Sequence, residues 1–284
     1  VARPTGHAAE PMARRVRAVV GSAAPPHGAP LATVFSTLFG QQLLRVLSLA
    51  TIYVMQFGRL PLSVLVEIGG LFLRLNDRVG LTHTLVEQIY GQLLGDFGER
   101  TQQQLERFFE MTAIDQTLMV QLRPEGAELL NAAAADRPGV RYGSVVTQVP
   151  RPGLRSVYRV GLSPYDQTTH ALFQALHRGS RLAPVNYPPV TPGQASALRQ
   201  AFGRHPGPDD SDGIVPTLSQ VWGEVIHATV ADHLDAIGHF AGPGHDPPHY
   251  DWLTSGSHFD RRRFEEIWSA VADFVVASVA LRDR

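Results

Sequence analysis

Hydrophobic and polar positions divide the chain into a long apolar middle flanked by two short stretches of strand character. Arg15-Val16-Arg17-Ala18-Val19-Val20 alternates and then turns apolar into Gly21-Ser22-Ala23-Ala24-Pro25-Pro26-His27-Gly28, which predicts a buried strand ending in a tight loop. From Val34 to Leu75 lies the most apolar region, interrupted by Arg45, Arg59, Glu67 and Arg74. Its runs fall short of the ~18 uninterrupted apolar residues of a membrane span and predict helices instead. Helical spacing continues over Thr82 to Leu94 and Thr101 to Leu122; in the second, Leu105, Phe108, Phe109, Ile114, Leu118 and Leu122 keep recurring. Asp136-Arg137-Pro138-Gly139 closes this block, and Val140 to Thr147 predicts a second strand.

The remainder is mixed. A helix is expected near Thr168 to Arg178, a Pro-rich linker over Pro184 to Pro192, and a helix from Pro192 to Phe202. The acidic turn Pro208-Asp209-Asp210-Ser211-Asp212-Gly213 follows, then a helix or strand over Val221 to Val230 leading into Ala231-Asp232-His233-Leu234-Asp235. A Pro/His-rich loop and an amphipathic helix, Arg261 to Ala280, end the chain.

Composition narrows the chemistry. All 25 basic residues are Arg, since Lys is absent, and Cys is absent too. That removes thiolate nucleophiles, Cys-ligated metals, Schiff bases and the P-loop lysine. With a formal net charge of −1, the 284-residue chain offers no electrostatic reason to bind a polyanion, so nucleic acid is not an expected partner. Chemistry by Ser, His, Asp, Glu and Arg remains.

Within that set, Asp212 and His233 stand out. Asp212 occupies a Gly turn, and His233 follows 21 residues later beyond an element able to bring the two loops together. A carboxylate so placed accepts an imidazole N–H, fixes its tautomer and stabilises the cation formed when the other ring nitrogen takes a proton. The plain alternative is that Asp-Gly forms a turn and His233 caps a helix or sits satisfied in the core.

Ser211-Asp212-Gly213-Ile214-Val215-Pro216, followed by Asp232-His233-Leu234-Asp235, resembles the carboxyl-terminal catalytic region of α/β-hydrolase lipases, especially bacterial triacylglycerol lipases. Val19 to Ala32 resembles the strand and loop after the nucleophile elbow of that family, with Pro25, or Ala24 in a slipped register, where Thr is common. Tyr142 to Val146 resembles the strand before the acid turn. The resemblance implies an α/β-hydrolase fold, Asp212 as triad acid and His233 as base of a Ser-Asp-His triad, and lipid-like acyl esters as substrates.

It further implies core segments at 1–33 and 140–284, with residues 34–139 as a helical cap or lid in transient contact with lipid. Ordinary packing is the competing reading of that block. No cofactor is implied except calcium, through Asp235 of His-Leu-Asp, although Tyr187 to Gln200, where a partner carboxylate is expected, holds no Asp or Glu. His245-Asp246-Pro247-Pro248-His249-Tyr250-Asp251 also carries metal-ligand types without a spacing that fixes them.

The family pattern is incomplete. Gly-x-Ser-x-Gly does not occur: Gly143-Ser144 and Gly256-Ser257 lack the second Gly, and Gly6-His7-Ala8 has Ala where Ser belongs. The expectation is therefore a hydrolase truncated at its amino terminus, whose serine lies upstream of Val1 and whose first strand is left with an unpaired edge. A catalytically inactive fragment and a lipid-surface binding protein are the two non-enzyme alternatives.

Overall fold

The computed structural model describes residues 15–73, 80–114, 117–182 and 185–280. Gly6-His7-Ala8, Arg74, Leu75 and Pro184 lie outside them. Among the described residues, three strands form one parallel sheet in the order β1 (Ala18–Ser22), β2 (Arg141–Gln148), β3 (Glu224–Val230). Parallel neighbours need long crossovers. The first is the helical block α1 (Pro30–Phe35), α2 (Leu38–Phe57), α3 (Leu62–Leu73), α4 (Gly80–Gly95), α5 (Glu99–Ile114), α6 (Thr117–Leu122) and α7 (Pro124–Ala133). The second carries α8 (Leu154–Arg159), α9 (Pro164–Gly179), α10 (Pro192–Phe202) and a 3-10 turn, Thr217–Gln220; α11 (Arg261–Ala280) closes the chain. The protein is thus of mixed α/β class.

The central strand is covered on both faces, as parallel sheets require. Successive side chains of β2 point opposite ways: Val145 joins Ile267 of α11 with Phe240 and Phe259, while Val146 joins Leu198 of α10 and Val221. Gly143 permits the first of these contacts. A Cβ there would meet Ile226 at 2.9 Å and the Phe274 ring at 3.0 Å, so any side chain would push α11 off the sheet. By contrast, all five residues of β1 are half-buried.

The helical block is not a separate layer. Leu43, Val46, Leu49, Ala50 and Val54 of α2 and Val64, Leu65, Ile68 and Leu71 of α3 are fully buried in a core that continues through Tyr165, Leu172, Phe173 and Leu176 of α9 to Trp252 and Leu253. Two of the interrupting arginines lie on aromatic faces: the Arg45 guanidinium lies 3.5 Å above the Tyr90 ring, and that of Arg59 lies 4.5 and 4.8 Å from the rings of Tyr165 and Tyr250.

Several boundaries differ from the periodicity. By length and mean hydropathy (1.3), α2 is able to cross a membrane, although its charge pattern argued otherwise; here its apolar face fills the core. The expected helix Thr101 to Leu122 is helical over α5 and α6, and residues 115–116 between them lie outside the described residues. The short helix α8 is not marked by the periodicity, whereas α7 lies within the helical block that Asp136 closes and starts with Pro124 at its first position, where the missing N–H costs nothing. Val221 to Val230 resolves as a strand because Val225, Ile226, Thr229 and Val230 are β-branched.

Candidate active site

Parallel sheets present loops from the carboxyl ends of their strands at one edge, and here those loops carry Asp212 and His233. Asp212 precedes the tight turn at Gly213, whose φ of +99° favours glycine and whose missing Cβ leaves room for the Phe173 ring at 2.6 Å. The Oδ1 atom of Asp212 accepts the backbone N–H groups of Ile214 (2.9 Å) and Val215 (2.7 Å), which folds the turn around the carboxylate. His233 lies three residues beyond β3, and its backbone N–H donates to the Asp212 carbonyl at 3.1 Å.

The side chains meet as well. His233 Nδ1 donates to Asp212 Oδ2 at 2.9 Å. The same oxygen accepts Thr147 Oγ1 from the end of β2 (3.0 Å) and Gln220 Nε2 (3.2 Å), and the Gln220 amide is oriented by its Oε1 accepting the Thr147 N–H at 2.7 Å. Because a carboxylate only accepts, Nδ1 is assigned the proton and Nε2 is left as the lone-pair nitrogen. The Asp212 side chain is fully buried, whereas 27% of the His233 side chain remains accessible. Burial opposes an imidazolium at this position, but the Asp212 charge, its hydrogen bond and the nearby Asp232 charge outweigh it, and the His233 pKa stands above its ordinary value.

Asp235 is held differently. Its Oδ2 accepts the Asp232 N–H and the Ser257 hydroxyl, both at 2.8 Å. Burial first, then the charges of Asp232 and Asp251, push its pKa well up. With Oδ2 engaged by two donors and no group of three or more His, Asp or Glu side chains placed around a common point among the described residues, nothing here adds to the calcium role suggested by His-Leu-Asp, since calcium takes several hard oxygens. In the Pro/His-rich loop, His245 Nδ1 lies 3.2 Å from His249 Nδ1, and Asp251 Oδ1 accepts the Leu253 N–H. No group of three His, Asp or Glu side chains among the described residues is arranged to hold a metal ion.

Sequence reasoning missed Thr147 and Gln220. Thr147 was legible only as a strand end, and Gln220 sits in a 3-10 turn that no motif marks. It also missed Asp232 as a structural carboxylate, whose Oδ1 accepts the N–H groups of Leu234 and Asp235 and whose Oδ2 accepts the Ser255 hydroxyl.

Comparison with protein-family models, with curated proteins and with solved structures finds no match to this chain. The chemistry of the site therefore rests on its own geometry.

Proposed function

We propose that this chain is the acid-and-base part of an α/β-hydrolase that cleaves carboxylic esters of lipid-like acyl groups. The observation that carries the reading is the 2.9 Å bond between His233 Nδ1 and an Asp212 carboxylate held by four further donors. That arrangement fixes the tautomer with Nε2 facing a reacting proton and stabilises the imidazolium. It also lies at the carboxyl edge of a parallel sheet, where hydrolases of this fold carry their triads in the order Ser, Asp, His. Exposed Phe108, Met111, Leu118 and Val120 on α5 and α6 support an apolar substrate and transient contact with lipid.

In the proposed reaction, a serine hydroxyl adds to the ester carbonyl as His233 Nε2 takes its proton. The C–O bond to the alcohol then breaks, and the same proton leaves with that alcohol. Water repeats the sequence on the acyl-serine, releasing the carboxylic acid and restoring the serine. Asp212 stays ionised throughout and orients the ring. The serine is proposed to come from a segment outside residues 1–284, since the nucleophile motif is absent within them.

Hydrolysis of p-nitrophenyl esters of increasing acyl length tests this, run on residues 1–284 and on the same reading frame extended upstream. Turnover by the extended protein alone, lost in His233→Ala, is the expected result. Turnover that persists in His233→Ala overturns the assignment of the base, and turnover by residues 1–284 alone overturns the external serine.

A further inference from the structure

The edge of β2 that faces β1 runs on past its partner. β1 ends at Ser22, opposite Val145, and the Ala23 N–H donates to the Val145 carbonyl at 3.0 Å. Backbone groups on one edge of a strand recur every second residue, so Thr147 and Val149 come next, and among the described residues no strand runs beside them there. The Val149 N–H donates to the Ser211 carbonyl of the acid loop at 3.0 Å. Thr147 is served by a side chain. Gln220 Oε1 accepts the Thr147 N–H at 2.7 Å, and Gln220 Nε2 donates to the Thr147 carbonyl at 3.1 Å. One primary amide thereby supplies the acceptor and the donor that a further residue of β1 would have supplied.

The same amide reaches the acid. Its Nε2 lies 3.2 Å from Asp212 Oδ2 and 3.3 Å from the Val215 carbonyl, so its two N–H bonds meet three acceptors. The reversed amide would aim N–H at N–H and its oxygen at two carbonyls and a carboxylate, which assigns the two ends. Gln220 is 1% exposed and cannot trade these partners for bulk water. The 3-10 turn that carries it is pinned as well: the Ser219 hydroxyl donates to the Gly28 carbonyl at 2.5 Å, the Thr217 N–H to the Asp210 carbonyl at 2.8 Å, and the Thr217 hydroxyl to the Thr147 carbonyl at 3.3 Å. An amide fixed by this many neighbours sets the place of the carboxylate rather than following it.

We infer that Gln220 is a positioning residue for the Asp212–His233 pair: standing in for the missing rung beside Thr147, it holds Asp212 Oδ2 where that oxygen accepts the His233 Nδ1 proton. The Ile214 and Val215 N–H groups anchor Oδ1, and the carboxylate can still swing about that anchor unless Oδ2 is held too. Thr147 holds Oδ2 less firmly than Gln220 does, because its single hydroxyl proton faces both Asp212 Oδ2 at 3.0 Å and Gln220 Oε1 at 3.1 Å. Without the Gln220 amide, the neutral His233 ring loses the fixed acceptor that selects its tautomer. The inference builds on the reading of His233 as a base, but its readout is the ring's own proton and needs no turnover.

The test is NMR of the ¹⁵N-labelled chain, residues 1–284, as wild type, as Gln220→Met, which keeps the length and loses the amide, and as Gln220→Asn, which keeps the amide and loses its reach. Above the His233 midpoint the wild-type ring should carry its proton on Nδ1. In both variants the neutral ring should become a mixture of tautomers, and exchange of the Nδ1 proton with water should quicken at least about tenfold, the worth of one hydrogen bond to a charged group. His170, whose Nδ1 lies 2.8 Å from the Thr254 carbonyl outside this network, should keep its wild-type signals, which separates positioning from general loosening. Wild-type tautomer and exchange at His233 in either folded variant would overturn the proposal. Should neither variant fold, the wild-type protein decides: the Gln220 Nε2 protons should exchange slowly and shift with the His233 midpoint, and free exchange or a flat response through that midpoint would overturn it. If the proposed ester hydrolysis holds, both variants should also lower kcat about tenfold with KM unchanged. Absence of turnover in every protein would remove the hydrolase reading and leave the tautomer result standing.

Discussion

Two groups of buried or half-buried carboxylates flank the His233 loop, and they are held in opposite ways. Asp212 accepts five donors, one of them the imidazole of His233. On the other side, Asp232 accepts three, Asp235 two and Asp251 one, with no cation among them. Burial raises all three, helped by the Asp212 charge at Asp232 and by the Asp232 charge at Asp235 and Asp251: Asp232 to about 6 and the others well above their ordinary value. Asp210 marks the other extreme: burial would raise it, but Arg204, the Gly207 N–H and Arg151 together hold it at about 2. Depth alone therefore does not decide which way a carboxylate shifts: two arginines lower Asp210, while Asp232, Asp235 and Asp251 lack such a partner and are raised. Among these carboxylates, Asp212 combines full burial with a histidine partner whose side chain remains accessible.

The largest expected break in this contrast is catalytic. If the proposed ester hydrolysis holds, Asp212→Asn should lower kcat by about 10⁴-fold through loss of the tautomer, with folding retained by circular dichroism. Next comes Asp210→Ala, which strands Arg151 and Arg204 beside a cavity. A loss of about 3 kcal/mol in urea unfolding is expected, discounted because both arginines are half-exposed.

A smaller effect distinguishes the cluster with raised pKa values by its sign. Because the folded pKa of Asp232 is raised, its stabilising contribution is complete below the ordinary 3.8 and is lost as pH rises through about 6. Asn reproduces the neutral acid, so Asp232→Asn should gain on the wild type as pH climbs from 4 to 7, by on the order of 2 kcal/mol in unfolding free energy. The smallest effect belongs to Thr147→Val, which removes one of the five donors and should cost about 1 kcal/mol in the same assay.

The contrast also explains what was legible in the sequence. Asp212 and His233 were visible because each lies in a short local pattern, a Gly turn and a His-Leu-Asp string. The strands were visible because β-branched residues cluster in them, and α11 because its amphipathic period runs unbroken over 20 residues. Gln220 and Thr147 were not, since their roles depend on the Ser144–Val145 register irregularity and the pairing of β2 with β3, which no local spacing encodes. The raised pKa of Asp235 was hidden for the same reason: Ser257 and Asp251 act on it from a loop farther along the chain. The helical block could be read as cap or core, and the shared packing of α3 and α1 with α9 makes it continuous with the rest.

The most direct measurement of the central claim is an NMR titration of the His233 imidazole in the wild-type chain and in Asp212→Asn. The account predicts a wild-type midpoint above 6.5 with Nδ1 protonated in the neutral form, and a midpoint in the variant lower by one unit or more, about the size of a close charge interaction, because burial then acts unopposed by Asp212. Equal midpoints in the two proteins, or a neutral form protonated at Nε2, would contradict it.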